Sequence, residues 1–360
     1  MAGSIKRARV ISSSSTSSLD FLSSDDSSTP ELPPPPPPPK EEAYSIKTAR
    51  DLIKFAIDYE GDVIDWHMLW RLVPALIELD SLVGMSKLKS EVVDIIVYHI
   101  QGFHLPAKSE GPLKPGDKPP EGEMYHTVIM GPPGVGKTTV AKVLAKILAG
   151  IGVTKTDKVT IAKKTDFIAQ YLGQTEHKVV AFLAKAKGGV LLIDEAYSFG
   201  HPDQTDSYSK IIIDLLNQHL SEDKGDLVCM IAGYEKELEE SFFSVNPGLE
   251  RRFPCRFTID SYSGEELHEM LKRRAKREGW SLDDDVKSQQ FMVSKKDGFP
   301  HFGGDIETFF KECKKAHALR IFGLSQGKRV LTMADLGKAY QCFTGNKSKK
   351  RKEPPPGLYI

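Results

Sequence analysis

Apolar and polar positions change their spacing along the 360-residue chain. Leu69, Leu72, Val73, Leu76 and Ile77 recur at i, i+3, i+4, i+7 and i+8, one stripe of a helix spanning residues 66–79. Residues 88–100 repeat that stripe, so helical structure is expected from about Ile46 onward. Gly and Pro interrupt the pattern over residues 102–123, which read as a loop. Short apolar runs then predict strands at 125–130, 159–162, 189–193, 227–232 and 255–259, with helical stripes at 140–148, 179–187 and 211–220 between them. The run 189–193 is apolar without alternation, as in a strand buried on both faces. Such alternation of strand and helix predicts an α/β fold, a parallel sheet sandwiched by helices. After Ser263 the pattern is helical only, at 265–276, 283–295, 305–322 and 333–343, predicting a small all-α domain.

Composition separates the two ends from this core. Residues 1–40 are Ser-rich and then Pro-rich, too poor in apolar side chains to offset ordering entropy, so a disordered N-terminal arm is expected. Its run of prolines at 33–39 reads as polyproline II, either a docking ligand or a spacer. The start, basic and free of acid until Asp20, also has the character of an organelle transit segment. The basic run from Lys347 to Lys352 reads as a nuclear import signal, a phosphate-binding tail or a plain solvated tail. The expected division is an arm at 1–44, a helical extension at 45–101, an α/β domain at 102–262, a helical lid at 263–345 and a basic tail at 346–360.

Charge narrows the function. Lys plus Arg equals Asp plus Glu at 49 each, and residues 41–346 alone carry a formal charge of −4. A nucleic-acid binder is expected to be basic, so this core argues against one. No stretch reaches the ~18 consecutive apolar residues of a spanning helix, which argues against a membrane partner. Cys229, Cys255, Cys313 and Cys342 are scattered without a C-x-x-C pair, and reduced thiols are expected. The expected setting is intracellular and soluble, cytoplasm or nucleus, with organelle import as the alternative and a viral source left open.

Two motifs carry chemistry. Gly131-Pro132-Pro133-Gly134-Val135-Gly136-Lys137-Thr138 fits G-x-x-x-x-G-K-[ST] between a predicted strand and a predicted helix. Glycines let successive N–H groups face a phosphate, and the following helix presents its positive end to the same anion. Lys137 is expected on the β and γ phosphates and the Thr138 hydroxyl on Mg²⁺, with Thr139 completing the binding loop. The run 190–193 then ends in Asp194 and Glu195 at the carboxyl edge of a strand, where open α/β sheets bind ligands. Asp194 is expected to hold Mg²⁺, and Glu195 to orient or deprotonate the attacking water.

On these residues, with Leu82-Val83-Gly84-Met85, Tyr171-Leu172-Gly173-Gln174-Thr175, Asp194-Glu195-Ala196-Tyr197, Ala232-Gly233-Tyr234 and Asn246-Pro247-Gly248-Leu249, the chain resembles the AAA+ ATPases of the CbbX/CfxQ/SpoVK type over about residues 82–322. The resemblance implies the P-loop NTPase fold with a lid, ATP and Mg²⁺ as cofactors, and a homo-oligomeric, hexameric ring that remodels a protein client. It places Val83 and Gly84 beside the adenine and Tyr171, Leu172 and Gly173 in a pore loop that grips substrate. It makes Arg252 the arginine that reaches a neighbouring subunit's γ-phosphate, beside Arg251. Departures are Tyr234 at the sensor position after the fourth predicted strand, Glu250 where relatives carry Arg, and no Arg in Phe302-Gly303-Gly304-Asp305-Ile306-Glu307, where relatives place a lid arginine. These departures imply an altered coupling of hydrolysis to lid movement. The expected activity is therefore ATP hydrolysis, and the alternative is an ATP-dependent assembly switch with little turnover.

Overall fold

The stripe on residues 66–79 becomes a helix because its leucines find a partner. The computed structural model describes residues 44–59, 64–105, 123–168, 172–200, 207–222, 227–244, 246–325 and 328–350. Helix α1 (Ala49–Asp58) starts at a capping box made by Thr48 and Asp51. Helix α2 (Trp66–Ser81) starts where the Asp65 side chain accepts the His67 and Met68 N–H groups. Pro74 inside α2 removes one ladder donor, yet the helix continues, since Leu69, Leu72, Leu76 and Leu79 are buried along one side. Each such burial contributes about 2 kcal/mol. Helix α3 (Ser86–Ile100) follows a turn at residues 82–85 that the Lys89 ammonium pins by donating to the Leu82 carbonyl at 2.6 Å and the Asp80 carbonyl at 3.1 Å.

The central sheet follows in strict alternation with helices. It runs through β1 (Thr127–Met130), α4 (Lys137–Gly150), β2 (Val159–Ala162), α5 (Lys164–Phe167), α6 (Leu172–Ala186), β3 (Val190–Asp194), α7 (Ser207–Glu222), β4 (Val228–Gly233), α8 (Glu235–Glu237), α9 (Pro247–Glu250) and β5 (Cys255–Thr258). A π-helical turn, Leu238–Phe243, extends α8. The strand order is β2-β3-β4-β1-β5, and every pairing is parallel. Val190 and Leu192 join one core layer with α2, α3 and α4, whereas Leu191 and Ile193 join another with α6 and α7. Two covered faces explain why β3 has no polar alternation. Gly150 closes the approach of α2 to α4, where an added Cβ would stand 2.7 Å from Leu72 Cδ2.

The region after Ser263 differs from its helical expectation in one part. Helix α10 (Gly264–Arg277) is capped by Ser263 and Glu266, and α12 (Phe302–Arg320) and α13 (Met333–Lys350) pack against each other. Residues 283–295 do not form one helix. They hold a turn and α11 (Gln290–Ser294), and Ser281–Leu282 (β6) pairs in parallel with Val330–Leu331 (β7). The reason is local competition. The Asp283 carboxylate accepts the Asp284 N–H at 2.9 Å, and its carbonyl accepts from Val286 and Lys287, closing a turn. Helix α13 continues to Lys350, past the helical stripe expected at 333–343. The proline run and most of the arm lie outside the described residues, as does the tail beyond 350. No helix among the described residues is long and apolar enough to cross a membrane.

Candidate nucleotide site

The loop between β1 and α4 is built by backbone that side chains would obstruct. Gly134 has φ +78° and Gly136 φ +95°, in the left-handed region that favours glycine. Gly136 is also the N-cap of α4, so no side chain occupies the free N–H groups at that helix start. Lys137, the first residue of α4, folds back and donates from Nζ to the Gly131 carbonyl at 2.8 Å and the Pro132 carbonyl at 3.0 Å. Burial lowers the Lys137 pKa, and Asp194 and Glu195 oppose that shift.

Strand β3 delivers the carboxylates to the same place. Thr138 Oγ1 donates to Asp194 Oδ2 at 3.3 Å, joining the loop to the strand end. Asp194 Oδ1 accepts the Glu195 N–H at 3.1 Å. Glu195 sits at φ +56°, an unfavourable conformation for a residue with a Cβ, and its carboxylate lies 3.9 Å from Lys163 Nζ.

These groups enclose one cavity of about 520 Å³ lined by Pro133, Gly134, Gly136, Lys137, Thr138, Thr139, Asp194, Glu195, Tyr197, Gly233, Tyr234, Gly303, Gly304 and Glu307. Its lining carries positive charge from the α4 start and Lys137 and negative charge from Asp194, Glu195 and Glu307. That arrangement suits a polyanion with a cation between it and the carboxylates. Thr138 and Asp194 supply hard oxygens within 3.3 Å of each other, the chemistry Mg²⁺ prefers when phosphate and water complete its shell. Among the described residues no group of three or more His, Cys, Asp or Glu could hold a metal ion.

The cavity gathers much of the expected site and omits part of it. Pro132 lines a neighbouring cleft, and Val135 is buried beneath the loop. Val83 and Gly84 do not line the cavity. Their turn approaches it through Met85, whose methyl lies 3.9 Å from where a Cβ on Gly136 would stand. Tyr171 falls outside the described residues, and Leu172 and Gly173 open α6 with side chains likewise undescribed. Arg251 is exposed, whereas Arg252 is half-buried with its Nε enclosed and without a hydrogen-bond partner. Neither touches the cavity of its own chain. The sequence marks Tyr234 both as part of the family resemblance and as a departure at the sensor position, and it gives Tyr197 and Glu307 no individual role. Tyr197 and Tyr234 stack at 5.1 Å with 16° between their planes. Burial, with help from Glu195 and Tyr234, pushes the Tyr197 phenol up to about 12.

A profile of the ATPase family associated with various cellular activities (AAA) matches residues 127–260, which span β1 through β5. Residues 127–260 thus form an AAA domain. The chain is 34% identical over 276 residues to a cfxQ-like protein of Acanthamoeba polyphaga mimivirus, covering 76% of the chain and 64% of that relative. It is 31% identical over 210 residues to stage V sporulation protein K of Bacillus subtilis, covering 58% and 62%. With the ESX-1 secretion system protein EccA1 of Mycolicibacterium smegmatis, identity is 35% over 215 residues, 59% of this chain and 36% of that protein. The chain thus spans less than two thirds of each of these relatives. Among solved structures, the FIGL-1 AAA domain in complex with ADP aligns with TM-score 0.50 at 18% identity, over 73% of this chain and 83% of that one. A single-residue variant of Thermotoga maritima RuvB aligns with TM-score 0.51 at 17% identity, over 73% and 71%. Both likenesses concern the fold.

Proposed function

We propose that the chain binds Mg²⁺–ATP in this cavity and hydrolyses it, and that a hexameric ring of copies uses the turnover to remodel a protein client. The observation that carries the reading is the Thr138–Asp194 hydrogen bond at 3.3 Å, which brings the phosphate loop and the acidic strand end into one cavity with Lys137 and Glu195. The ADP described with the FIGL-1 AAA domain supports an adenine nucleotide.

Each residue has a part in that reading. Lys137 exchanges its two loop carbonyls for phosphate oxygens, and the backbone from Pro132 to Thr139 cradles the phosphates. Val83 and Gly84 border the adenine. Mg²⁺, when bound, neutralises phosphate charge, and Thr138 and Asp194 are the residues that would hold it. Glu195 orients the attacking water and accepts its proton. Arg252 of a neighbouring copy offsets charge on the transferring phosphoryl group. Tyr171, Leu172 and Gly173 grip the client.

The test is a pair of substitutions on purified protein. Glu195→Gln keeps nucleotide binding and lowers turnover by about 100-fold, while Lys137→Ala removes binding. Turnover by Glu195→Gln at the parent rate would overturn the assignment of the water-activating group. Tyr171→Ala should spare turnover and end client handling.

A second reading, a nucleotide-dependent assembly switch, is favoured by one observation: Glu307 adds a third carboxylate to the cavity where relatives place a lid arginine. Turnover that rises cooperatively with protein concentration supports the remodeller. ATP binding with assembly but without phosphate release supports the switch.

A further inference from the structure

The lid reaches the phosphate loop without an arginine. The Gly303 N–H, at the start of α12, donates to the Gly134 carbonyl at 3.1 Å. The Tyr262 hydroxyl, at the entry to α10, donates to the next carbonyl, that of Val135, at 2.8 Å. The Tyr262 ring meets the Phe302 ring edge-on at 5.7 Å, tying the two lid contacts together. Backbone meets backbone here, since a Cβ on Gly134 would collide with the His301 carbonyl oxygen. Phe302 is held at φ +40°, and the Asp305 carboxylate fixes that turn by accepting the His301 N–H at 2.8 Å. Tyr262 is buried, and burial, reinforced by Glu266, pushes its phenol pKa up, so the hydroxyl stays a donor.

Peptide planarity gives these contacts a consequence. In a trans peptide unit the carbonyl and the following N–H point in opposite directions and turn together. The Gly134 carbonyl is thereby locked to the Val135 N–H, and the Val135 carbonyl to the Gly136 N–H. Amides that turn toward a phosphate swing their carbonyls toward the opposite side. The Gly303 N–H and the Tyr262 hydroxyl are the donors that those two carbonyls meet.

The geometry points to Tyr262 and Gly303 as positioning residues that transmit the state of the phosphate loop to the lid, whose stretch 302–307 holds no arginine. The inference rests on the nucleotide reading above. An anion seated on the loop amides fixes the Gly134 and Val135 carbonyls, strengthens both hydrogen bonds and tightens the lid. Release of the anion lets both carbonyls rotate, and the constraint on Phe302 favours opening.

Amide hydrogen exchange on the full chain, with and without a non-hydrolysable ATP analogue and Mg²⁺, tests this. In the parent, the analogue should slow exchange at residues 302–306 by at least about tenfold. Tyr262→Phe keeps the buried ring and removes only the donor. It should bind the analogue within about threefold of the parent and lose most of that slowing. Gly303→Ala, whose new Cβ would stand 3.1 Å from the Gly134 carbonyl oxygen, should lose it as well. If the parent response survives in both variants, the clasp is wrong and the nucleotide reading stands. If the parent binds no analogue, both fall together.

Discussion

The Lys137 ammonium lies 4.7 Å from the centre of the Tyr234 ring, just past the end of β4. That ring is backed by Tyr197. The aromatic face restrains a flexible lysine before any anion arrives, at a worth of about 1 kcal/mol. Tyr234→Phe should therefore keep nucleotide affinity, and Tyr234→Ala should weaken it about fivefold, read by titration with a fluorescent ATP analogue. Equal weakening by both variants would point to the hydroxyl instead.

Glu307 shares the cavity with Asp194 and Glu195, and its Oε1 lies 3.8 Å from Arg274 Nη1. A carboxylate facing a triphosphate opposes binding, and one charge in such a partly exposed site is worth about 1 kcal/mol. Glu307→Gln should tighten ATP about fivefold, with the gain shrinking as salt is raised. An unchanged dissociation constant at low salt would show that Arg274 already neutralises this group.

Gly134 is doubly constrained, by φ +78° and by the His301 carbonyl. Gly134→Ala places a Cβ in a left-handed conformation, costing about 1–2 kcal/mol, and adds a backbone clash that only lid displacement relieves. The expected outcome is a lower Tm with faster exchange at the start of α12. A full Tm with parent exchange there would contradict the close lid contact.

His126 is a buried acid-sensitive group. Its Nδ1 accepts the Cys229 N–H at 3.1 Å, and Nε2 donates to the Leu220 carbonyl at 3.3 Å, which fixes the neutral tautomer. Burial first, then Arg252, lowers its pKa to about 4 from 6.5, against the Leu220 hydrogen bond. The unfolded chain therefore takes up this proton first as pH falls. The stabilising contribution is complete above pH 6.5 and is lost between 6.5 and about 4, at about 1.4 kcal/mol per pH unit. His126→Asn should flatten the urea-unfolding stability profile in that window by about one proton relative to the parent. His99 and His268, also lowered by burial, remain in both proteins and cancel in the comparison.

Asp335 anchors the lid's polar core, accepting from Arg320 at 2.7 Å and from Thr332, with His317 at 3.1 Å. Burial alone would raise its pKa, but the hydrogen bonds from Arg320, Thr332 and His317 outweigh it and bring the carboxyl to about 2 from 3.8. A depressed carboxylate stabilises the fold above its unfolded pKa and loses that contribution as pH falls through the folded one. Asp335→Asn should destabilise by roughly 2 kcal/mol at pH 7 in chemical denaturation, with the difference closing between pH 4 and 2.

What the sequence determined by itself is contiguous or carried by period. The phosphate loop is a strand, a glycine turn and a helix start in one uninterrupted run, so Lys137 and Thr138 were legible at once. Asp194 and Glu195 were legible because an apolar strand must end somewhere, and theirs ends in acid. Strands β3 and β4 were legible because a doubly covered strand needs apolar residues at nearly every position, whereas the edge strands β2 and β5 carry Thr160 and Arg256 and were legible only as short runs beside helical stripes. The helix expected at 283–295 was misread because Asp283 satisfies nearby backbone N–H groups through its carboxylate and its carbonyl, which periodicity does not register. Tertiary structure alone decided which distant residues face the phosphate loop. Gly303 and Glu307 reach it from α12 and Tyr262 from the entry to α10, and Tyr197 meets Tyr234 because β3 and β4 are parallel neighbours. Those contacts depend on chain direction and packing between elements remote in sequence, and no local pattern of side chains encodes that proximity.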